Sequence, residues 1–359
     1  MNKIIKVTAI GIVGLLMILG SGKNTSPVFN KKDNHTVVSI LYGTDRGLDE
    51  KASFEDRYNG KRSNLKFGKA EVSVPHTHVF GEIERPNSYL WEDEKIGRDI
   101  VITHLADINS NRFSNLLKNK LTDVKQKDIL IFIHGFNVTF ASSIRQTAQL
   151  TYDLQFKGVP LSYSWPSKGG INNYTIDETT VKSSVPKLVN FFKEVIKNRG
   201  SANIHVIGHS MGTRLLTNAL KELSYEYRTP QFKNIILAAP DIDVVVFKDL
   251  LYPKLKKVTE KITLYANSND SALLASSKLH GGERLGQSGE KITVLDDMIT
   301  IDATGIDPSL LGHSYFSETE VLIKDLRAVI NKSLPPSRRA NLRALKKLKL
   351  LFWKFKIEK

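Results

Sequence analysis

The stretch Ile204-His205-Val206-Ile207-Gly208-His209-Ser210-Met211-Gly212-Thr213-Arg214 decides the fold. Its first four residues are mostly β-branched and predict a strand, and residues 214–220 follow with helical spacing. Between them lies a G-x-S-x-G pattern, in which a nucleophilic serine occupies a strained strand-to-helix turn. Glycine on both sides of this turn lets the strand and the helix approach each other. The alternative is an ordinary strand–helix turn without catalytic function.

Residues 128–133 form a continuous apolar run, which predicts a strand buried on both faces of a parallel sheet. Strands are also expected at 37–42, 70–75, 99–103, 160–164, 203–208, 233–239, 261–266, 291–295 and 298–302. Helices are expected at 140–154, 177–198, 211–226, 243–251, 270–278 and 318–331, and an irregular loop at 47–70. This alternation predicts an α/β fold with a doubly wound, mainly parallel sheet.

A nucleophilic serine needs a base that removes its proton, an acid that orients the base, and donors for the oxyanion. With a G-x-S-x-G elbow the acid and then the histidine follow the serine along the chain. Only His280 and His313 lie downstream of Ser210. We favour His313 as the base, because it lies in a loop between the last strand and the last helix. His280 closes a predicted helix, which is more typical of a capping or pocket residue.

Three aspartates are candidates for the acid. Asp270 follows the second strand after the nucleophile strand, where the acid of such a site belongs, and it is therefore preferred. Asp241 and Asp243 follow the preceding strand. For each of the three, capping of a helix N-terminus is the alternative function.

The oxyanion donors are expected to be the backbone N–H groups of Met211 and Phe136. Gly135 permits a sharp exit from strand 128–133 and directs the Phe136 amide toward the site. We expect His134 and Trp165 at the substrate-binding rim. His134 would brace the loop by hydrogen bonding and Trp165 would line the acyl or alcohol pocket, with ordinary packing as the alternative for Trp165.

The sequence indicates no metal and no cofactor. His134, His205 and His209 lack the spacing of zinc ligands, and no glycine-rich phosphate loop is present. The chain contains no cysteine, which excludes disulfides, thiolate ligands and a cysteine nucleophile.

The N-terminus resembles an export signal. Lys3 and Lys6 precede an apolar run over residues 7–20, and small residues follow it. Residues 1–22 are therefore expected to be a signal peptide or an N-terminal membrane anchor, and the protein to be periplasmic, secreted or anchored in the inner membrane. Residues 23–36 are polar and predict a linker, so that the folded domain would span 37–334.

The formal net charge is +15, and residues 335–359 contain nine Lys/Arg and one Glu. Apolar residues recur in this tail at roughly helical spacing (Leu342, Leu345, Leu348, Phe352, Phe355). We expect a basic amphipathic helix that contacts an anionic membrane surface. A disordered tail is the alternative, and nucleic acid is not expected as a partner.

Several segments together resemble the bacterial α/β-hydrolases of unknown function that are grouped with esterases and lipases. They are Tyr42-Gly-Thr-Asp-Arg46, Val72-Ser-Val-Pro75, Phe132-Ile-His-Gly-Phe-Asn137, Ser164-Trp-Pro166, Gly208-His-Ser-Met-Gly-Thr-Arg214, Leu237-Ala-Ala-Pro-Asp-Ile-Asp243, Tyr265-Ala-Asn-Ser-Asn-Asp270, Arg284-Leu-Gly286 and Gly312-His-Ser-Tyr-Phe316. The resemblance covers about 37–330 and implies an α/β-hydrolase fold with Ser210, Asp270 and His313 as its triad. The basic tail is not part of this pattern.

Residues and resemblance together predict a serine hydrolase that cleaves carboxylic esters, of small molecules or lipids, through an acyl-enzyme. Short to medium acyl chains are expected, because no extended apolar lid is evident. Thioester or amide cleavage would use the same groups. A catalytically weak, membrane-associated binding or scaffold protein on the same fold is the alternative from another class.

Overall fold

In the computed structural model, the described residues are 28–86, 92–168, 170, 173–304 and 320–356. The strands of this part are β1 (Phe29–Lys31), β2 (His35–Leu48), β3 (Tyr58–Pro75), β4 (Val101–Ile108), β5 (Asp128–Ile133), β6 (Val159–Ser164), β7 (Asn203–His209), β8 (Phe232–Ala238), β9 (Thr259–Ala266), β10 (Met298–Asp302), β11 (Leu342–Lys347) and β12 (Leu350–Phe355). They form one sheet in the order β11-β12-β10-β9-β8-β7-β5-β6-β2-β3-β4, with β1 paired to β2. From β2 across to β12 the neighbouring strands are parallel, which confirms the predicted fold class.

The helices are α1 (Ser110–Asp123), α2 (Phe140–Asp153), α3 (Tyr174–Asn198), α4 (Gly212–Glu226), α5 (Val244–Val246), α6 (Tyr252–Val258), α7 (Ser271–His280) and α8 (Glu320–Ile330). A π-helical turn, Phe247–Leu251, joins α5 to α6. Polar side chains begin several of these helices: the Asn109 side chain accepts from the Arg112 N–H at α1, and Thr139 from the Ser142 N–H at α2.

Side chains of the central strands alternate between the two faces of the sheet. In β5, Ile129, Ile131 and Ile133 belong to the core beneath α1, α3, α4 and α6. Leu130 and Phe132 point to the opposite face and pack in the core that also contains residues of α2, α7 and α8. Because both faces are covered by helices, the strand is apolar along its length, as the sequence indicated.

The region between 47 and 70, expected to be an irregular loop, belongs to a long antiparallel pair. β2 and β3 pair from His35↔Pro75 to Leu48↔Tyr58, with register shifts near Arg46. Most residues in the first half of β3, 58–66, are exposed or half-buried, which accommodates its charged side chains. Two further predictions differ from the structure. Residues 23–36, expected to be a linker, contain β1 and the start of β2, and residues 291–295, expected to be a strand, are the end of a 3₁₀ turn (Gly289–Lys291) and an irregular segment.

The helix predicted for 335–359 is wrong. Residues Leu342–Lys347 and Leu350–Phe355 form an antiparallel hairpin, and β12 joins the sheet beside β10. Leu342 and Phe355 are buried in the same core as α8. The described part of the basic tail is therefore the last unit of the sheet.

Candidate active site

The turn around Ser210 has the strand–turn–helix geometry that the sequence predicts. β7 ends at His209, and α4 begins at Gly212. Ser210 between them has a φ of 51°, a left-handed conformation that L-residues with a side chain adopt at an energetic cost. Its N–H donates to the Ala238 carbonyl at 2.9 Å, and the Thr213 N–H donates to the Ser210 carbonyl at 3.0 Å. The neighbouring strand and the first turn of the helix thus hold the strained residue in place.

Close packing requires glycine beside this serine. A Cβ at Gly212 would lie 2.2 Å from the His134 carbonyl oxygen, and one at Gly208 would lie 2.9 Å from Leu216 Cδ2. The elbow is therefore pressed against the end of β5 and against its own helix. Any larger residue at position 212 would push α4 away from the sheet.

The loop after β5 passes directly beside Ser210. A Cβ at Gly135 would lie 3.0 Å from Ser210 Cβ. Within the described part of the chain, the backbone N–H groups of Phe136 and Met211 donate to no other protein group. Two amides flanking the serine are thus available to a ligand, as an oxyanion hole requires.

His134 and Trp165 brace this loop from inside the protein. Both side chains are fully buried, and their rings stack with centroids 5.2 Å apart. Trp165 Nε1–H donates to the His134 carbonyl at 2.8 Å, and His134 Nδ1 lies 2.8 Å from the Gly135 carbonyl oxygen. The prediction that Trp165 and His134 line the substrate pocket is not supported, because neither ring reaches a surface. Packing, the alternative for Trp165, is what the geometry shows.

Burial, together with the charge of Arg46, holds the pKa of His134 well below its usual value. The ring is therefore neutral at physiological pH. A neutral, enclosed imidazole suits a hydrogen-bonding brace, and it is poorly placed to exchange protons with a substrate.

Arg46 is a structural residue of the site whose function the sequence analysis did not foresee. Its guanidinium is buried and donates to Ser164 Oγ at 2.9 Å, the Ser167 carbonyl at 2.9 Å and the Val138 carbonyl at 2.6 Å. Burial lowers the pKa of Arg46 to about 9. The side chain ties the loop after β5 to the loop after β6. The available signal was the charged pair Asp45-Arg46, which follows the apolar run of the same strand.

Asp270 lies where the acid was predicted, between β9 and α7. Its side chain is buried and accepts a hydrogen bond from the Leu273 N–H at 3.0 Å, so it also caps α7. The cap and a catalytic function are compatible, because a carboxylate has two oxygens and several acceptor sites.

The other two aspartates have evident structural functions. Asp243 caps α5 by accepting from the Val245 and Val246 N–H groups. Asp241 is buried and pairs with Arg214 at 2.9 Å, and it accepts from Ser276 Oγ at 2.6 Å. Burial alone would raise the pKa of Asp241, but Arg214 and these hydrogen bonds hold it below its ordinary value.

His280 is engaged on the flank of the site. Its Nε2 lies 2.7 Å from Glu178 Oε1, and its Nδ1 lies 2.8 Å from the Ser276 carbonyl. Both ring nitrogens are thus engaged: Nε2 joins α7 to α3, and Nδ1 bonds within α7, which matches a capping and packing residue. His313, the preferred base, lies in 305–319, outside the described residues.

Strand register brings the predicted catalytic segments to one edge of the sheet. His209 in β7 is level with Ala238 in β8, Ala238 with Tyr265 in β9, and Tyr265 with Ile301 in β10. Ser210 and Asp270 therefore follow strands that end at the carboxyl edge of the sheet, and β10 ends at the same edge. Ligands of open α/β sheets bind at this edge.

The described residues provide neither a metal-binding cluster nor a membrane-spanning helix. No group of three or more His, Cys, Asp or Glu side chains there is arranged to hold a metal ion. None of the helices in this part of the chain has the length and apolarity needed to cross a bilayer.

The sheet order and the elbow define an α/β-hydrolase. A family model matches residues 109–331, more than half of the chain, and the protein belongs to that family, DUF900, described as alpha/beta hydrolases of unknown function. A curated relative, the uncharacterized protein alr1448 of Nostoc sp., is 26% identical over 144 residues, which cover 33% of this chain and 36% of the relative. The match therefore spans little more than a third of that relative's length.

Solved structures with a similar fold include three hydrolases. A fungal esterase from Rhizomucor miehei matches with a TM-score of 0.38 and 11% identity, over 84% of this chain and 85% of its own. A lipase-esterase related protein from Clostridium acetobutylicum matches with a TM-score of 0.34 and 11% identity, over 58% of this chain and 96% of its own. A CIB-like hydrolase from Thermoplasma acidophilum matches with a TM-score of 0.33 and 17% identity, over 56% of this chain and 87% of its own. These likenesses are distant, and the family membership rests on the match over 109–331.

Proposed function

We propose that the protein is a serine hydrolase that cleaves carboxylic esters of short to medium acyl chains. The observation that carries this proposal is Ser210, held at a φ of 51° beside the Phe136 and Met211 amides, which donate to no group in the described part of the chain. A non-glycine residue in this conformation stores strain, and such strain is concentrated at functional sites. A plain strand–helix turn would not need it.

In the proposed reaction Ser210 Oγ attacks the acyl carbon while His313 accepts its proton and Asp270 orients the imidazole. The Phe136 and Met211 amides stabilise the negative oxygen of the tetrahedral intermediate. His313 then protonates the departing alcohol as the ester C–O bond breaks. Water, deprotonated by the same histidine, attacks the acyl-enzyme and releases the acid together with free Ser210.

A fluorophosphonate probe tests the nucleophile and the base. We expect the full chain to be labelled, Ser210→Ala not to be labelled, and His313→Ala to be labelled at least a hundredfold more slowly. Ser224→Ala, a buried serine near the other end of α4, is the matched control and should label normally. An unlabelled wild-type protein would refute the proposal. Normal labelling of His313→Ala would reject that base and direct attention to His280.

Asp270→Asn separates catalysis from capping. Asparagine caps helices as well as aspartate does, so the hydrogen bond to the Leu273 N–H and the stability should persist. Without the negative charge the base is poorly oriented and its cation is not stabilised, so labelling should slow by about a hundredfold or more. If labelling is unchanged while the fold is retained, Asp270 is only a cap.

The acyl preference is tested with aryl esters from acetyl to long-chain acyl groups. Turnover should be greatest for short to medium chains and should not rise at a lipid interface. A steep increase with chain length would overturn this part of the proposal. Export also remains a prediction, since residues 1–27 lie outside the described part of the chain.

A further inference from the structure

The tip of the β11–β12 hairpin exposes an apolar side chain in an unfavourable backbone conformation. Leu348 and Lys349 connect the two strands, and Leu348 has a φ of 57° with 93% of its surface exposed. Asparagine and glycine are the residues that normally take positive φ in tight hairpin turns. Nearby Leu351 is 51% exposed. Neither folding nor the local turn accounts for a leucine at this position.

Cationic side chains surround this leucine. Lys346 and Lys349 are exposed on either side of it, and the adjoining 3₁₀ turn exposes Lys291 together with Glu290. Lys347 fixes the hairpin to that turn by donating to the Glu290 and Ile292 carbonyls, each at 2.8 Å. Residues 335–356 contain eight Lys/Arg and no Asp or Glu. The tip thus combines a projecting apolar group with positive charge.

We propose that this hairpin tip, Lys346–Lys349, docks on an anionic lipid bilayer, with Leu348 inserted at the interface and the lysines on lipid phosphates. Apolar insertion combined with electrostatic attraction is the way in which interfacial segments bind anionic membranes. A second copy of the chain fits less well. Arg343 and Lys346 are exposed on β11, the edge strand, and such charges oppose pairing with another strand.

The register sets the orientation of the docked protein. Ile301 in β10 is level with Trp353 in β12, so Leu350 is level with the first residue of β10. The tip therefore lies at the amino edge of the sheet, whereas Ser210 lies at the carboxyl edge. A membrane bound at the tip leaves the catalytic edge facing water, so the substrate reaches Ser210 from solution.

The absence of cysteine from the chain allows a site-resolved test. The full chain carrying Leu348→Cys is labelled with an environment-sensitive dye. A matched protein carries Val245→Cys, an apolar residue that is 65% exposed and follows β8 at the carboxyl edge. With vesicles of phosphatidylglycerol and phosphatidylcholine, the dye at 348 should shift to the blue and be quenched by lipid-borne nitroxides. The dye at 245 should not change, and pure phosphatidylcholine should affect neither protein.

Replacing Lys346 and Lys349 by glutamine in the Leu348→Cys protein tests the electrostatic part. The vesicle concentration for half-maximal shift should rise about tenfold, while the unfolding temperature stays the same. Binding through residues 1–22 alone would leave the dye at position 348 in water and produce no shift, because the dye reports on its own surroundings.

Three results would overturn the proposal. The first is an emission of the dye at position 348 that does not change on anionic vesicles. The second is a blue shift of the dye at position 245 and none at 348. The third is a blue shift at position 348 that appears without vesicles and grows with protein concentration. The last would identify a second copy as the occupant. Fluorophosphonate labelling of Ser210 is measured separately, so failure of the docking proposal leaves the proposed hydrolase activity untouched.

Discussion

At the residue scale, the site depends on how closely the loop after β5 approaches Ser210. An oxyanion hole acts only when its donors already point to the position that the negative oxygen will occupy. Gly135 places the backbone there, Arg46 ties the loop to its neighbour, and the His134–Trp165 pair supports it from below. Misplacement of a catalytic group by about 1 Å can cost a hundredfold in rate.

Gly135→Ala should therefore impair the site without unfolding the protein. The added methyl group would lie 3.0 Å from both Ser210 Cβ and His209 Nδ1, so serine or loop must shift by a few tenths of an ångström. We expect fluorophosphonate labelling of Ser210 to slow by about ten- to a hundredfold.

Gly200→Ala is the control for this substitution. Gly200 has a φ of 57° and no atom within 4 Å of an added Cβ, so the change should reduce stability by about 1 kcal/mol and leave labelling unaltered. Equal labelling rates for Gly135→Ala and wild type would show that the loop does not position the oxyanion donors.

At the scale of helices and strands, the sequence was most informative for segments that combine an apolar pattern with clear boundaries. β5, α2 and β7 begin and end within one residue of their predicted limits, because each has an apolar pattern and a clear boundary. α1 was not predicted, although Phe113, Leu117 and Leu121 follow helical spacing. The place of Asp270 after β9 and the turn at Ser210 were foreseeable, because both depend on the order of elements along the chain.

Elements formed by distant pairing were harder to predict. β11 and β12 contain no Val, Ile or Thr, so local propensity and spacing both favoured a helix. The deciding contacts are the cross-strand pair Leu345↔Phe352 and the parallel pairing of Trp353 with Ile301. The buried environment of Trp165 and the bridging function of Arg46 likewise depend on contacts between separate loops, which no single stretch of sequence reveals.

At the scale of the whole molecule, the hairpin extends the sheet and a buried ion pair fixes its base. Arg339 Nη1 donates to Asp325 Oδ2 of α8 at 3.0 Å, and Tyr265 of β9 donates to the same oxygen at 2.5 Å. Both charged side chains are almost fully buried. Burial raises the pKa of Asp325, although Arg339 opposes the rise. α8, the central sheet and the tail thus share one polar contact.

Arg339→Ala should consequently destabilise the whole domain by about 3–5 kcal/mol, since it leaves a buried carboxylate without its cation. The pKa of Asp325 in the folded protein should then rise further. The loss of stability should therefore be small below pH 4, where the carboxyl group is protonated in the unfolded chain as well, and it should grow as the pH increases. Urea unfolding at pH 4 and pH 8 measures both effects.

Arg338→Ala, at the exposed neighbouring position, should change stability by less than about 0.5 kcal/mol. If the tail did not contribute to the stability of the domain, the two substitutions would have the same small effect. Deletion of residues 335–359 would then leave the unfolding transition of the remaining domain unchanged.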